Sequence, residues 1–351
     1  MTAPTIVRLV DVLDGFEVPS SLEAAAPPET RGTPRDGVRL MVSGTTGLRH
    51  RRFHDLASEL RPGDLLVVND SATLPASVVV DQDLVIHFST ELPGGLWVVE
   101  PRRLAGASSL PHEAPHPGPV TLPGGGIADL LAPYPPDSKT RRLWAAHLDL
   151  GHPVADYLAT WGRPIRYRHT SGPYPLDAYQ TVFASAPGSA EMPSAGRPFT
   201  DRLVTPLVAG GVSIAPLTLH TGVSSLEAGE DPFPEWFDVP EPTAALVNHT
   251  HRRGGRVVAV GTTVVRALES TADSRGVSHP GRSWTDLVIL RDHRMRVVDG
   301  LITGWHEPAS THLDLLEALG GREMLSQSYE TALDTGYLWH EFGDSHLILP
   351  G

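Results

Sequence analysis

The residues of this chain that could do chemistry gather at the ends of its apolar runs. In GRVVAVGTTVVRALES, residues 255–270, a β-branched run from Val257 to Val260 meets Gly261, two threonines and a helical pattern. Val257, Val258 and Val260 suit a buried strand, while Val264, Val265 and Leu268 recur at helical spacing. Thr262 or Thr263 can cap that helix, because a threonine oxygen accepts from the unpaired N–H groups of a first turn. Strand, glycine turn and helix N-terminus together attract an anion, and Arg266, one turn in, adds positive charge. An ordinary βα unit with a good cap would read the same way. Three further runs end in polar groups. LLVV delivers Asn69 and Asp70, at the strand end where α/β folds place ligands, although Asp70 could equally cap a turn. SIAPLTLH delivers His220. LITGWHEPAST places Thr303, Trp305, His306, Ser310 and Thr311 within nine residues.

The elements that must position these groups follow from texture. RLMVSG (residues 39–44) is strand-like and precedes a helical run ending at Leu60; the helix after Thr311 runs from His312 to Leu319. From Ser77 to about Leu150, short strands (SVVV, DLVIHFST, GLWVVEP, RRLWAAHL) alternate with Pro/Gly-rich loops, which predicts a small all-β module. It interrupts an α/β pattern, so residues 77–150 read as an insertion into a main α/β domain of residues 1–76 and 151–351. Arg102-Arg103 and Lys139 to Arg142 could give the insertion a basic edge, or be solvated loop charges. DLVILRDHRMRVVDG reads as a hairpin-like piece. The loop APGSAEMPSAGRPFT, residues 186–200, is rich in small residues that let backbone approach a ligand closely.

Composition excludes several classes. With no cysteine among 351 residues, thiolate metal sites, iron–sulfur clusters and a cysteine nucleophile are ruled out. No apolar run approaches the ~20 residues of a membrane span. The N-terminal residues show no basic segment followed by an apolar core, so a cytoplasmic protein is expected. The net charge of −13, with Lys139 the only lysine, argues against unspecific nucleic-acid binding but leaves room for an arginine patch. There is no G-x-G-x-x-G or G-x-x-x-x-G-K-[ST] phosphate loop and no G-x-S-x-G elbow. Seventeen histidines invite a metal site at His249-x-His251. That pair sits in a helical run, where residues two apart do not share a face, so no metal is expected.

Taken in order, seven segments resemble the S-adenosylmethionine:tRNA ribosyltransferase-isomerases of queuosine biosynthesis. They are RPGDLLVVND, AYQTVFA, PSAG with Phe199-Thr200, TLH ending at His220, GRVVAVGTTVVRALES, LITGWHEPAST and FGDSHLIL. The resemblance implies a barrel-like α/β main domain interrupted by a small β-barrel. It also implies S-adenosylmethionine as substrate, used as a ribosyl donor, with no bound cofactor. In that reaction the sulfonium acidifies the ribose 5′ carbon and a base removes a proton. The aminomethyl group of a deazaguanine in tRNA is alkylated, the ribose becomes an epoxycyclopentane, and adenine and methionine leave. Carried onto this chain, the resemblance makes His220, His306 and Asp70 catalytic candidates, the histidines because they titrate near neutrality; Glu191 is added to them as a departure from the family pattern. The substrate-binding candidates are Asn69, Tyr179, Gln180, Thr181, Ser194, Gly261, Thr262, Thr263, Arg266, Thr303 and Trp305. Within that set the GTT turn and Arg266 would hold the methionine carboxylate, and Tyr179 and Trp305 would stack on adenine or flank the sulfonium.

Departures from the family pattern cluster. Arg197 and Pro198 replace an apolar residue and a histidine, and Glu191-Met192 stand where small residues are expected. VSSLEAG (residues 223–229) replaces a glycine-rich turn, and PEWFDV (residues 234–239) replaces an M-H-x-E-like segment. Ala309 replaces a lysine. Ser71-Ala72 follow Asn69-Asp70 where Thr-Arg is usual. The reading drawn from these losses is a divergent relative that still acts on the ribose or sulfonium of S-adenosylmethionine. Its acceptor would be a small molecule or absent, and Glu191 would be a new base. The alternatives are a genuine queuosine-pathway tRNA enzyme and a non-catalytic S-adenosylmethionine-binding module. A methyltransferase is disfavoured by the missing glycine-rich loop and ribose-binding acid. The oligomeric state is not legible.

Overall fold

The structure, a computed structural model, describes residues 12–105, 108–112, 115–136, 141–223, 233–308 and 310–350. Lys139, residues 224–229 of the VSSLEAG segment and Ala309 lie outside the described residues.

Nine strands form one mixed sheet in the order Gly281–Thr285, Glu235–Val239, Ser213–Leu219, Leu65–Asn69, Val257–Val260, Gly300–Thr303, Ser345–Leu349, Arg39–Gly44, Gly47–Arg52. Its centre is parallel: Leu65–Asn69 lies between Ser213–Leu219 and Val257–Val260, which in turn pairs with Gly300–Thr303. All five residues of Leu65–Asn69 are buried, as expected of a central parallel strand covered on both faces. Side chains of alternate parity go to opposite faces. Leu65 and Val67 join Val264, Val265 and Leu268 of the helix Thr262–Thr271 in one core. Leu66 and Val68 join Phe53, Phe199 and Leu203 in the other. Among the described residues the sheet is open, with Gly281–Thr285 and Gly47–Arg52 as its two ends.

A second, wholly antiparallel sheet runs Ser77–Val79, Leu84–Glu91, Leu96–Ala105, Leu143–Asp149, Ile127–Tyr134, Gly118–Thr121, with Ser108–Pro111 paired to Leu96–Ala105. The helix Val154–Trp161 closes its core with Tyr157 and Leu158. Inside this sheet the Glu100 carboxylate is fully buried; Arg102 Nη1 lies 2.6 Å and Arg142 Nη1 2.9 Å from its Oε1, and His87 Nδ1 is 3.6 Å from Oε2. Burial alone would raise the Glu100 pKa, but His87, Arg142 and Arg102 hold it at about 2 instead of 4.5. A depressed carboxylate contributes stability above its unfolded pKa and loses it as pH falls through the folded value. The urea midpoint should therefore decline between pH 4.5 and 2 more steeply in the wild type than in Glu100→Gln; equal slopes would contradict the assignment.

Two local expectations are corrected. Residues 286–299 form no hairpin: after the strand Gly281–Thr285 the chain is irregular up to Gly300. The reason is the buried Glu269 carboxylate, which accepts from the backbone N–H groups of Arg296, Val297 and Val298 and so replaces a partner strand. The helical run before Leu60 is a 3-10 segment, Phe53–Ser58. His249 and His251 lie on the helix Glu241–Arg252, and His251 Nε2 pairs with Asp299 at 2.9 Å. Among the described residues no acid/imidazole group could hold a metal, and no helix is long and apolar enough to cross a membrane.

Candidate active site between the two sheets

A cavity of about 610 Å³ opens between the C-terminal ends of the main parallel strands and the antiparallel sheet. That volume lies within the range of small-molecule sites. Its floor comes from two strand ends: Gly261, Thr262 and Thr263 after Val257–Val260, and Thr303 to Glu307 after Gly300–Thr303. Its other walls include His87 and Arg102 of the antiparallel sheet, Arg166 to His169, and Glu191 to Ala195.

Gly261, not a threonine, is the N-cap of the helix Thr262–Thr271; no side-chain cap bond is present, which corrects the expected threonine cap. Its φ of 99° is a left-handed conformation that suits glycine. Without a cap, the first-turn N–H groups stay available to a ligand. Arg266 reaches the same cavity but is already engaged: it pairs with Glu235 and donates to Leu287 O at 3.0 Å and Thr285 O at 3.2 Å. A carboxylate held at this floor would therefore meet helix N–H groups first and a neutralised arginine second.

His306 stands on the cavity wall with Nε2 2.8 Å from Thr303 Oγ1, and its ring stacks at 4.6 Å on His312. Burial, reinforced by His312, His346 and His340, pushes its pKa well below 6.5, so the imidazole is neutral at neutral pH. With Nε2 engaged, Nδ1 is the nitrogen left for proton transfer. His312 was not singled out in the sequence; its position in the first turn of Thr311–Gly320 brings it here, and burial lowers its pKa to about 4. Ser310 makes no cap bond and donates instead to Glu307 O.

Glu191 is buried, only 6% exposed, and lines the cavity with Ser194. Burial, then the Glu191 and Glu341 charges, pushes the Tyr167 phenol up. Trp305 is on the wall but its faces are taken, stacked on His346 at 4.7 Å and packed on Tyr329, Tyr337 and Trp339. At 2% exposure it supports the site and offers no open face to a sulfonium.

Six expected site residues stand outside the cavity wall, and each has a structural partner that explains why. Asn69 bolts strands together, donating to Leu219 O at 2.8 Å and accepting from Ser71 N and Leu219 N. Asp70 accepts from Thr218 Oγ1 at 2.7 Å and Ser185 Oγ at 3.2 Å. Gln180 clamps the backbone of Thr73 through both amide atoms. Thr181 accepts from Phe183 N. The Tyr179 ring packs on Phe342 and Tyr167, so it has no place on adenine here. His220 sits behind the cavity: Nδ1 is 2.8 Å from Ser71 Oγ, which is 2.6 Å from Ser189 Oγ, and the ring stacks on Trp236 at 5.1 Å. A Cβ at Gly188 would overlap the His220 ring. Gly188→Ala should therefore displace His220 and destabilise by about 1–3 kcal/mol, read as a shifted unfolding midpoint; an unchanged midpoint would refute this packing.

Several departures from the family pattern are absorbed structurally. Arg197 is buried, pairs with Glu29 through Nη2 at 3.0 Å, donates to Ala178 O and lies over Phe342. Met192 fills a small core with Tyr179 and Phe342. PEWFDV supplies the strand Glu235–Val239, with Glu235 on Arg266 and Trp236 on His220. None of these three removes a group from the cavity floor.

A family model described as queuosine biosynthesis protein matches residues 14–348. A protein of Gloeobacter violaceus named S-adenosylmethionine:tRNA ribosyltransferase-isomerase is 35% identical, over 100% of this chain and 99% of that one. One of the same name from Moorella thermoacetica is 36% identical, over 95% and 98%. The crystal structure of S-adenosylmethionine tRNA ribosyltransferase from Thermotoga maritima superposes with a TM-score of 0.53 at 28% identity, covering 96% of this chain and 99% of that one. Matched along nearly its full length, the chain belongs to the queuosine biosynthesis protein family.

Proposed function

We propose that this chain is an S-adenosylmethionine:tRNA ribosyltransferase-isomerase, an enzyme that transfers and isomerises the ribosyl group of S-adenosylmethionine onto a deazaguanine base in tRNA. The observation that carries this reading is one cavity onto which both the uncapped helix start at Gly261–Thr263 and the neutral His306 open. The methionine carboxylate would rest on the helix N–H groups. His306 Nδ1 would take the proton from the ribose 5′ carbon, made acidic by the sulfonium, and return a proton as adenine leaves. Glu191, buried on the same wall, would face the cationic part of the substrate. In this proposal residues 77–150 form the inserted unit that closes the cavity from above. We place the enzyme in the cytoplasm, where its RNA substrate would be.

The divergent reading, with a non-tRNA acceptor, is less favoured. The full-length match to relatives named for the tRNA reaction favours the tRNA enzyme, and Arg197, Met192 and PEWFDV are accounted for by packing. The test is product analysis of S-adenosylmethionine incubated with the protein, with and without tRNA carrying the aminomethyl-deazaguanine. Release of adenine and methionine only with tRNA supports the proposal. Consumption without tRNA would restore the divergent reading, and S-adenosylhomocysteine would show methyl transfer instead.

A further inference from the structure

The cavity wall carries four arginines: Arg102, Arg166, Arg168 and Arg266. Three of them have internal work. Arg266 is paired with Glu235. Arg102 donates to Glu100 through Nη1 and to Ser109 through Nε and Nη2. Arg166 is half-buried and donates to Thr170 O at 3.0 Å. Arg168 differs: it is exposed, and among the described residues it has no side-chain hydrogen bond and no carboxylate within 4.0 Å. Its neighbours account for the nearby acids, since Glu341 faces His169 and Glu307 faces His340. The two flanking side chains, Tyr167 and His169, stack on each other, which holds the backbone that carries Arg168 at the mouth. Of the basic edge expected at Arg102-Arg103 and Lys139 to Arg142, Arg102 and Arg142 are meanwhile spent on Glu100.

An exposed, unpaired guanidinium is an efficient phosphate partner because its planar fork matches two phosphate oxygens. In a chain of net charge −13, a polyanion reaching this cavity needs such a local contact to overcome long-range repulsion. We propose that Arg168 receives a backbone phosphate of the RNA whose base enters the cavity. This inference rests on the proposed function. The phosphate contact anchors the strand at the mouth and carries no sequence information.

The test is tRNA binding measured as a function of salt, separately from turnover. Losing one phosphate contact lowers the slope of log affinity against log salt by about 0.7–0.9. Arg168→Ala should show that decrease with S-adenosylmethionine affinity unchanged, and Arg168→Lys should restore the slope. Arg103→Ala, an exposed arginine off the cavity wall, should leave it as in the wild type. An Arg168→Ala slope equal to the wild type while the wild type binds tRNA would overturn this inference and leave the proposed function standing. A wild-type protein that binds no tRNA would overturn both. Loss of S-adenosylmethionine affinity in Arg168→Ala would assign the residue to the small substrate and overturn the phosphate contact.

Discussion

Replacing His306 by glutamine is expected to lower kcat by about 10²- to 10⁴-fold, the usual worth of a positioned proton-transfer group. Glutamine retains a polar atom for Thr303, which now lies 2.8 Å from Nε2, but cannot accept a proton at neutral pH. Affinity for S-adenosylmethionine, measured by calorimetry, should change little, because the helix start that would hold the carboxylate is untouched. The pH profile adds a second readout. Burial and three neighbouring histidines keep His306 neutral below its ordinary 6.5, so the base form persists into mildly acidic solution. The acid limb of kcat should therefore lie below pH 6.5. A glutamine variant that turns over normally, or an acid limb at 6.5 or above in the wild type, would remove His306 from the proton transfer.

Trp305→Ala carries the largest expected loss of stability, about 3–5 kcal/mol. The indole is enclosed by Tyr329, Tyr337 and Trp339 and stacked on the buried His346. His346 in turn is tied to Ser43 at 2.6 Å and through it to Ser328 at 2.8 Å. Truncation would open a void beneath the cavity floor and leave the His346 ring without its neighbour. Trp305→Phe, which keeps an aromatic ring in the cage, should cost much less. Urea denaturation of both variants decides the matter. Similar small losses for both would mean that Trp305 is a surface of the site and not its support.

How much of this was legible in the sequence depended on the range of the interactions involved. Leu65–Asn69, Val257–Val260 and Thr262–Thr271 are written in local periodicity, and so are the alternating strands after Ser77. The Gly-Thr-Thr turn at the start of that helix was legible for the same reason, although its cap was misassigned. A β-branched run followed by Gly-Thr-Thr does not reveal that the glycine itself takes the cap position at φ 99°. The failures come from groups whose partners are distant in sequence. Glu269 organises residues 296–298 from another element. Gln180 answers Thr73, and Arg197 answers Glu29. A motif residue can be kept for folding as readily as for chemistry, and Tyr179, Gln180 and His220 look identical in sequence under either role. His312 and Arg168 were missed for the converse reason. Neither belongs to a motif that points to chemistry, and only the tertiary fold brings each to the cavity.

The central claim is that the ribosyl carbons of S-adenosylmethionine end up on tRNA. It is tested most directly by incubating the protein with deazaguanine-modified tRNA and S-adenosylmethionine labelled separately in the ribose or the methyl group, then digesting the tRNA to nucleosides for mass spectrometry. The ribose label is expected in the modified nucleoside, while the methyl label leaves with methionine. Methyl label on the tRNA, or ribose label recovered only in a small molecule, would contradict it.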